Sequence, residues 1–351
     1  MNLCNNYCDF NEKSTELNLI KNHHRENNLK KKGFYNIGNS CYINSFLQIL
    51  FHIPNFINNL KKEYEKSCSK SALIKNLIDL SETNNIKYLY PIQYYMENIS
   101  PDYRYFHQGD SQNFGLDLIN EIIKNVKREE NYFEDDSEDN SLKTNYKNKI
   151  MEYRNYINKY QKNENSIEKM FILNESLAIN QKYNNIFRFS TSLDIELVFP
   201  KLKKNIYNLR ELLYFKYNNN MNYTKNKDSN DNKYLKIGRR ICKIPIVLII
   251  TISRSFIGNE LNCSSLEFPE ELDLSEFMDY DLVKKNQNFK YTLFSINEKI
   301  GDNKEFGHYI CKIRKKDKWY IFNDSKVNDF FVAVDRKLFS KNVVGLFYIK
   351  K

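Results

Sequence analysis

Residues 33–48 place one cysteine between a glycine-containing turn and an amphipathic run. Gly33 and Gly38 permit backbone angles that other residues avoid, so this segment can form a tight loop. From Tyr42 onward, apolar residues recur at intervals of three and four, which predicts a helix with one buried face. Cys41 then stands at the helix start, where free amides and the helix dipole favour a thiolate. The alternative is a structural cysteine, because free cysteines are often simply buried.

A nucleophilic cysteine needs a general base, and the sequence offers one well-placed histidine. His308 follows a polar loop with two glycines and begins an alternating strand pattern, so it can face a cleft. Asn323 or Asp324, at the end of the next predicted strand, could accept its second imidazole N–H, although both residues are also typical of a simple turn. Asn36, in the loop before the cysteine, could direct its side-chain amide at a developing oxyanion.

Five segments, in order along the chain, resemble the sequence boxes of the ubiquitin-specific proteases, a papain-like family of cysteine deubiquitinases. Residues 33–48 resemble the cysteine box, with Phe34 and Ser40 as mild departures, and residues 307–327 resemble the histidine box. The other three matching segments are residues 108–114, 244–254 and 266–274. The resemblance continues to residues 345–348, and five boxes in the same order are not expected by chance.

The resemblance implies an α+β fold, with a helical thumb, a β-sheet palm and β fingers, and a cleft between the lobes. A polar leader is expected over residues 1–32 and the catalytic domain over 33–351. Within that domain we expect the thumb over 33–128, a charged insertion over 129–165, and the fingers and palm over 168–351. The Asn-rich and Lys-rich segment 217–233 is expected to be a loop between finger strands.

The resemblance also implies an isopeptidase that hydrolyses the bond after the C-terminal glycine of ubiquitin in protein conjugates. Cys41 would attack the glycine carbonyl and His308 would move the proton. Asn323 or Asp324 would orient His308, and Asn36 would help bind the oxyanion. The loop 298–306 is expected to flank the channel for the ubiquitin tail. Four further residues are expected to bind substrate: Gln108, Asp110, Gly307 and Tyr309.

Two departures from the family pattern concern substrate recognition and the fingers. Asn113 stands where the family has a glutamate that helps bind the basic tail of ubiquitin. No cysteine occurs between Cys68 and Cys242, so this part of the chain cannot supply the four-thiolate zinc site of many family members. We therefore expect zinc-free fingers, and no metal or organic cofactor is implied.

Two rival functions stay open at this point. A protease for another ubiquitin-like modifier would keep the catalytic centre and change the tail-binding positions, and Asn113 fits that possibility. A catalytically silent scaffold that binds ubiquitin would tolerate loss of catalytic residues, whereas Cys41, His308 and Asn323 are all present.

Composition excludes other classes of function. The net charge is +10, but the basic residues are scattered and do not alternate with aromatic residues as in a nucleic-acid groove. The longest apolar run, residues 244–252, is too short to cross a bilayer and fits a central strand, and no secretory leader is recognised. Seven cysteines without a regular framework favour reduced thiols in the cytoplasm or nucleus. We expect a monomer that binds ubiquitin or ubiquitinated proteins, with no nucleic-acid or membrane partner.

Overall fold

The structure is a computed structural model, and it describes most of the chain after residue 31. The described residues are 32–67, 70–126, 151, 153–155, 163–180, 185–200, 204–217, 236–254, 256–257, 260–280, 283, 287–301, 307–330 and 337–351. The predicted leader lies outside them except for residue 32, and so do most of the predicted insertion and most of the loop 217–233.

The first lobe of the protein is helical. Its helices are α1 (Cys41–His52), α2 (Phe56–Lys66), α3 (Ala72–Thr83), α4 (Leu89–Glu97) and α5 (Ser111–Val126). Short 3₁₀ turns flank α4 at Ile86–Tyr88 and Pro101–Tyr103. The apolar periodicity that predicts helices near residues 72–78 and 114–123 falls within α3 and α5. No helix among the described residues is long and apolar enough to span a bilayer.

The second lobe consists mainly of β-strands, and its described part includes two short helices, α6 (Ser166–Phe171) and α7 (Leu209–Tyr217). The first strands are β1 (Leu173–Asn180), β2 (Asn185–Ser192), β3 (Asp194–Val198), β4 (Ile206–Asn208), β5 (Lys236–Lys243), β6 (Val247–Ser253), β7 (Phe256–Ile257) and β8 (Glu260–Leu261). The remaining strands are β9 (Ser265–Pro269), β10 (Glu271–Asp273), β11 (Lys290–Ile300), β12 (His308–Lys315), β13 (Lys318–Asn323), β14 (Lys326–Phe330), β15 (Lys337–Ser340) and β16 (Val343–Lys350).

The largest sheet has the strand order β14-β13-β12-β11-β16-β6-β3, with β10 paired to β11, and it forms the palm. Its pairs are antiparallel except β3 with β6. A separate antiparallel sheet of order β2-β1-β5 corresponds to the expected fingers. The apolar run predicted as a central strand is β6, which pairs with a neighbour on each side. A helical lobe and a β lobe therefore share one chain, which confirms the predicted α+β class.

Helix α1 is the element that joins the two lobes. Every residue of α1 is buried, and the helix packs between α5 and β12. The ring of Phe46 lies 5.6 Å from that of Phe347 on β16. A Cβ on Gly115 of α5 would lie only 1.9 Å from the Phe46 ring, so glycine is what lets the two helices approach. A helix held on all sides gives its first residue, Cys41, a fixed position.

Buried polar contacts tie α1 and α5 to β11. The Ser111 hydroxyl of α5 donates a hydrogen bond to the backbone oxygen of Tyr42 in α1 (2.9 Å). The Asn297 amide of β11 donates to the Ser111 hydroxyl (2.8 Å), and the Ser45 hydroxyl lies 3.1 Å from the same oxygen. These three side chains are buried, so their hydrogen bonds cannot be exchanged for water without cost.

The predicted loop at 298–306 begins later than expected. Strand β11 continues to Ile300, and residues 302–306 lie outside the described part of the chain. The predicted loop start at Glu298 is wrong, because Glu298 is a buried residue of β11. Its carboxylate pairs with Lys312 on β12 (2.8 Å) and accepts a hydrogen bond from Ser340 (2.6 Å). Side chains from neighbouring strands therefore satisfy a charge that the sequence pattern assigns to solvent.

Candidate active site

Cys41 lies at the N-terminus of α1 behind a tightly turned loop, and only 4% of its surface is exposed. Gly38 and Asn39 both have positive φ, at 104° and 56°. The Asn36 side-chain oxygen accepts hydrogen bonds from the backbone amides of Gly38 (3.1 Å) and Ser40 (3.0 Å), which hold the turn. The N-cap residue Ser40 makes no side-chain cap. The amides of the first helical turn therefore remain available to an anion beside the sulfur.

His308, the first residue of β12, faces Cys41 from the palm. Its Nε2 lies 2.7 Å from Oδ1 of Asn323 at the end of β13. The pKa of His308 is raised from 6.5 to about 9, mainly because the ring hydrogen-bonds to the Cys41 side chain. Partial burial opposes this rise, while the Asn323 bond and the charge of Asp324 support it. A histidine beside a cysteine sulfur can carry the proton that a nucleophilic thiol must lose.

The two candidate orienting residues have different partners in the structure. Asn323 bonds to His308, whereas the Asp324 carboxylate accepts hydrogen bonds from the side-chain amides of Asn44 (2.8 Å) and Asn36 (3.1 Å). Asp324 thereby ties the turn after β13 to α1 and to the loop before it. A Cβ on Gly33 would lie 1.9 Å from the Asp324 carbonyl oxygen, so only glycine allows this approach.

Asn36 is engaged at both ends of its side chain. Its oxygen holds the turn before Cys41, and its nitrogen donates to Asp324. An amide nitrogen carries two hydrogens, so one remains for the oxyanion after the bond to Asp324. The oxyanion role of Asn36 stays a prediction. Asn44, which holds the other carboxylate oxygen, was missed because a polar residue inside an amphipathic helix gives no sign of a partner 280 residues away.

The four predicted substrate-binding residues form a second group of contacts, between the start of α5 and the start of β12. One oxygen of Asp110 accepts hydrogen bonds from backbone amides in the first turn of α5 (2.9 and 3.0 Å). The other oxygen accepts the Tyr309 hydroxyl (2.9 Å), and burial together with the Asp110 charge raises the Tyr309 pKa. The Gln108 amide donates to the Gly307 carbonyl oxygen. These bonds join the two lobes next to Cys41.

Lys299 also belongs to this group, and it lies within the segment 298–306 that is expected to flank the tail channel. It pairs with Tyr309 in the β11–β12 register, and its Nζ lies 5.7 Å from the centre of the Tyr309 ring. The side chain packs against Gly307, where a Cβ would lie 2.6 Å from Lys299 Cε. Burial lowers the pKa of Lys299, while the charges of Asp110 and Cys41 oppose the change. A cation therefore stands close to the carboxylate that is expected to bind the tail.

His52, at the end of the helix that begins with Cys41, has a different environment from His308. Burial lowers its pKa to about 3, and its Nδ1 lies 2.7 Å from the Gln48 carbonyl oxygen. The ring is 4.9 Å from that of Phe322. His52 is thus a neutral core residue, and His308 is the histidine placed to act as a base.

Replacing Asp324 by asparagine tests whether Asp324 supports the group formed by Cys41, His308 and Asn323. Asparagine tolerates the positive φ of 48° at this position, but it removes a charge and one acceptor. We expect kcat/KM to fall about tenfold, because Asn36 or Asn44 loses a charge-assisted hydrogen bond. The alkaline limb of the pH–rate profile should also move to lower pH, since Asp324 raises the pKa of His308. An unchanged alkaline limb would show that Asp324 has no electrostatic effect on His308.

Known proteins share sequence and fold with this chain. The pattern of the ubiquitin carboxyl-terminal hydrolase family matches residues 32–348. Ubiquitin carboxyl-terminal hydrolase 4 of Arabidopsis thaliana is 23% identical over 322 residues, which cover 84% of this chain and 84% of that protein. Ubl carboxyl-terminal hydrolase 18 of Mus musculus is 33% identical over 97 residues, but these cover only 25% of this chain and 26% of that protein.

The fold is shared with a solved structure of the SAGA deubiquitinating module, in which Ubp8, Sgf11, Sus1 and Sgf73 are bound to monoubiquitin. The TM-score is 0.67 at 18% identity, and the match covers 99% of this chain and 76% of that chain. The family pattern spans most of the sequence, and the solved structure shares the fold. The chain therefore belongs to the ubiquitin carboxyl-terminal hydrolase family, as a cysteine-type deubiquitinating enzyme with the ubiquitin-specific protease fold.

Proposed function

We propose that the protein is a thiol isopeptidase that cleaves the bond after the C-terminal glycine of ubiquitin in protein conjugates. The observation that carries this proposal is the contact chain from Cys41 through His308 to Asn323, with 2.7 Å between His308 Nε2 and Asn323 Oδ1. Cysteine and histidine come from different lobes, so a substrate strand that enters the cleft between them reaches both.

In the acylation step, the Cys41 sulfur attacks the glycine carbonyl carbon and a C–S bond forms. The carbonyl oxygen becomes an oxyanion, which the first-turn amides of α1 and the free N–H of Asn36 can stabilise. His308 gives its proton to the leaving lysine nitrogen, and the C–N bond breaks. In the second step, His308 takes a proton from water, whose oxygen attacks the thioester. The C–S bond breaks, and the glycine carboxylate and the cysteine are released.

Asn323 contributes by fixing the histidine ring. Its Oδ1 can only accept a hydrogen bond, so Nε2 of His308 carries a proton and Nδ1 is left for the sulfur. The bond therefore sets the ring orientation that both proton transfers require.

Hydrolysis of ubiquitin carrying a C-terminal aminocoumarin tests the proposal with the full chain. We expect release of coumarin by the wild type and by Cys263→Ala, which removes an exposed cysteine outside the site. An absence of release by the wild type, together with cleavage of the same reporter on another modifier, would overturn ubiquitin as substrate and leave the chemistry intact.

The cation in the tail region favours a second candidate, a protease for another ubiquitin-like modifier. Both oxygens of Asp110 already accept hydrogen bonds within the protein, and Lys299 lies nearby. Asn113, exposed on the first turn of α5, provides no carboxylate for a basic tail. A less basic tail would suit these surroundings, because unlike charges attract and like charges repel.

An Asn113→Glu variant separates the two candidates. If ubiquitin is the substrate, a carboxylate at this position should raise kcat/KM for ubiquitin-aminocoumarin about tenfold, as expected for one new charge-assisted contact. Asn120→Glu is the matched control, since residue 120 is exposed two turns further along α5. A decrease or no change with Asn113→Glu would mean that the ubiquitin tail does not pass this residue.

A further inference from the structure

Four exposed aromatic side chains form a patch on the thumb, which we name the thumb patch. They are Tyr90 (44% exposed), Tyr94 (71%), Tyr105 (40%) and Phe106 (69%). The Tyr90 and Tyr105 rings are stacked at 5.9 Å, and the Tyr105 and Phe106 rings meet edge to face at 4.4 Å. Tyr94 follows Tyr90 by one turn of α4, so it lies on the same helix face. Contiguous exposed aromatic surface of this kind is typical of binding sites.

The thumb patch reaches the loop that carries the nucleophile. A Cβ on Gly38 would lie 2.6 Å from the Phe106 ring, so this ring rests directly on the Gly38 backbone. The Asn39 side chain donates a hydrogen bond to the Phe106 carbonyl oxygen (2.7 Å). Cys41 follows two residues after Asn39. The patch is therefore continuous with the wall of the active site.

The exposed Phe106 has an unfavourable backbone conformation. Its φ is +63°, a conformation that is unfavourable for a bulky residue and is usually kept where function requires it. The bond from Asn39 and a backbone bond from His107 to Arg104 (3.0 Å) hold the segment in place. A large apolar ring is thus presented to solvent by a strained backbone beside the catalytic cysteine.

The reaction brings two polypeptides to Cys41, the modifier and the protein that carries the modified lysine. The patch lies on α4 and on the segment after it, and α4 packs against α3 and the flanking 3₁₀ turns of the thumb. The patch contacts the loop before Cys41 through Phe106, whereas the expected tail-binding residues Asp110 and Tyr309 join the start of α5 to β12. Tyrosine-rich surfaces can bind partners of varied sequence, because each side chain offers both apolar area and a hydroxyl group. A tyrosine side chain also has few rotamers, so binding costs little conformational entropy.

We propose that the thumb patch binds the polypeptide around the modified lysine, on the leaving-group side of the scissile bond. This proposal rests on the isopeptidase function proposed above. Its partner is a target protein with apolar side chains near the lysine, and the modifier itself makes no contact with the patch.

Two substrates that differ only on the leaving side test this proposal. One is ubiquitin-aminocoumarin, which has no polypeptide leaving group. The other is a pool of lysine-centred peptides of randomised sequence, each with ubiquitin on its lysine. A Tyr90→Ser, Tyr94→Ser double variant should lower kcat/KM about tenfold on the pool and leave it within about twofold on the coumarin substrate. Phe339→Ser, an exposed aromatic of β15, is the control.

An equal loss on both substrates would overturn the proposal, because the patch would then act on the modifier or on the catalytic loop. No loss on the pool would overturn it as well. If the wild type cleaves neither substrate, the isopeptidase function fails, and the proposal fails with it. Cleavage of both by the wild type establishes that function separately from the outcome for the variants.

Discussion

A Cys41→Ala variant is expected to hydrolyse ubiquitin-aminocoumarin at background rate. The sulfur is the atom that forms the acyl intermediate, and alanine offers no nucleophile, so the loss should be at least about 10³-fold. Alanine also favours helix and removes a single buried atom, so the free energy of unfolding should change by no more than about 1 kcal/mol. Initial rates and denaturant unfolding of the same preparations measure both quantities.

Cys263→Ala is the matched control for this loss. Among the described cysteines, Cys263 is exposed, whereas Cys41, Cys242 and Cys311 are buried. The control should keep the wild-type rate. Measurable turnover by folded Cys41→Ala would contradict the assignment of Cys41 as nucleophile.

Replacing His308 by glutamine is expected to lower kcat/KM by about 10²–10⁴-fold, the usual range for a general acid–base residue. Glutamine still reaches Asn323 but cannot transfer a proton. The wild-type rate should also fall above about pH 9, because the pKa of His308 is raised to about 9 and the imidazolium is lost there. His308→Gln should lack this alkaline limb.

Stability should follow the same titration. The folded-state pKa of His308 is raised above the unfolded value of 6.5, so its contribution is complete below pH 6.5 and is lost as the pH rises through about 9. Unfolding of wild type and His308→Gln, followed from acid to alkaline pH, measures this difference. His107→Gln, at an exposed histidine, is the control. The same alkaline limb in His308→Gln would assign the titration to another group.

Local pattern predicted the elements that carry the triad. The amphipathic period after Cys41 predicts α1. The alternating residues from His308 onward predict β12 and the strand that follows it, β13. These signals are strong because each element buries one defined face or side, so the apolar spacing survives in the sequence.

Local pattern alone left the choice between Asn323 and Asp324 open. Adjacent residues at the end of a strand point in different directions, and the register decides which one faces the histidine. Here Asn323 pairs with Lys326 at the end of β13, and Asp324 enters the turn with φ of 48°. A side chain that leaves the strand in this way reaches Asn44 on α1.

The finger strands β1 and β5 were not predicted, because buried charged residues interrupt the alternation of apolar and polar residues that indicates a strand. Glu175 of β1 is buried, accepts a hydrogen bond from the Tyr217 hydroxyl, and pairs with Arg239 of β5 (3.0 Å). A sequence pattern assigns such charged residues to solvent, and only the folded chain shows that they satisfy one another.

The most direct test of the central claim is the mass of the full chain after reaction with ubiquitin that carries a C-terminal alkyne electrophile. We expect one ubiquitin to be added to the wild type, with the modified peptide containing Cys41, and none to be added to Cys41→Ala. An unmodified wild type, or an adduct that maps to the exposed Cys263 and persists in Cys41→Ala, would contradict it.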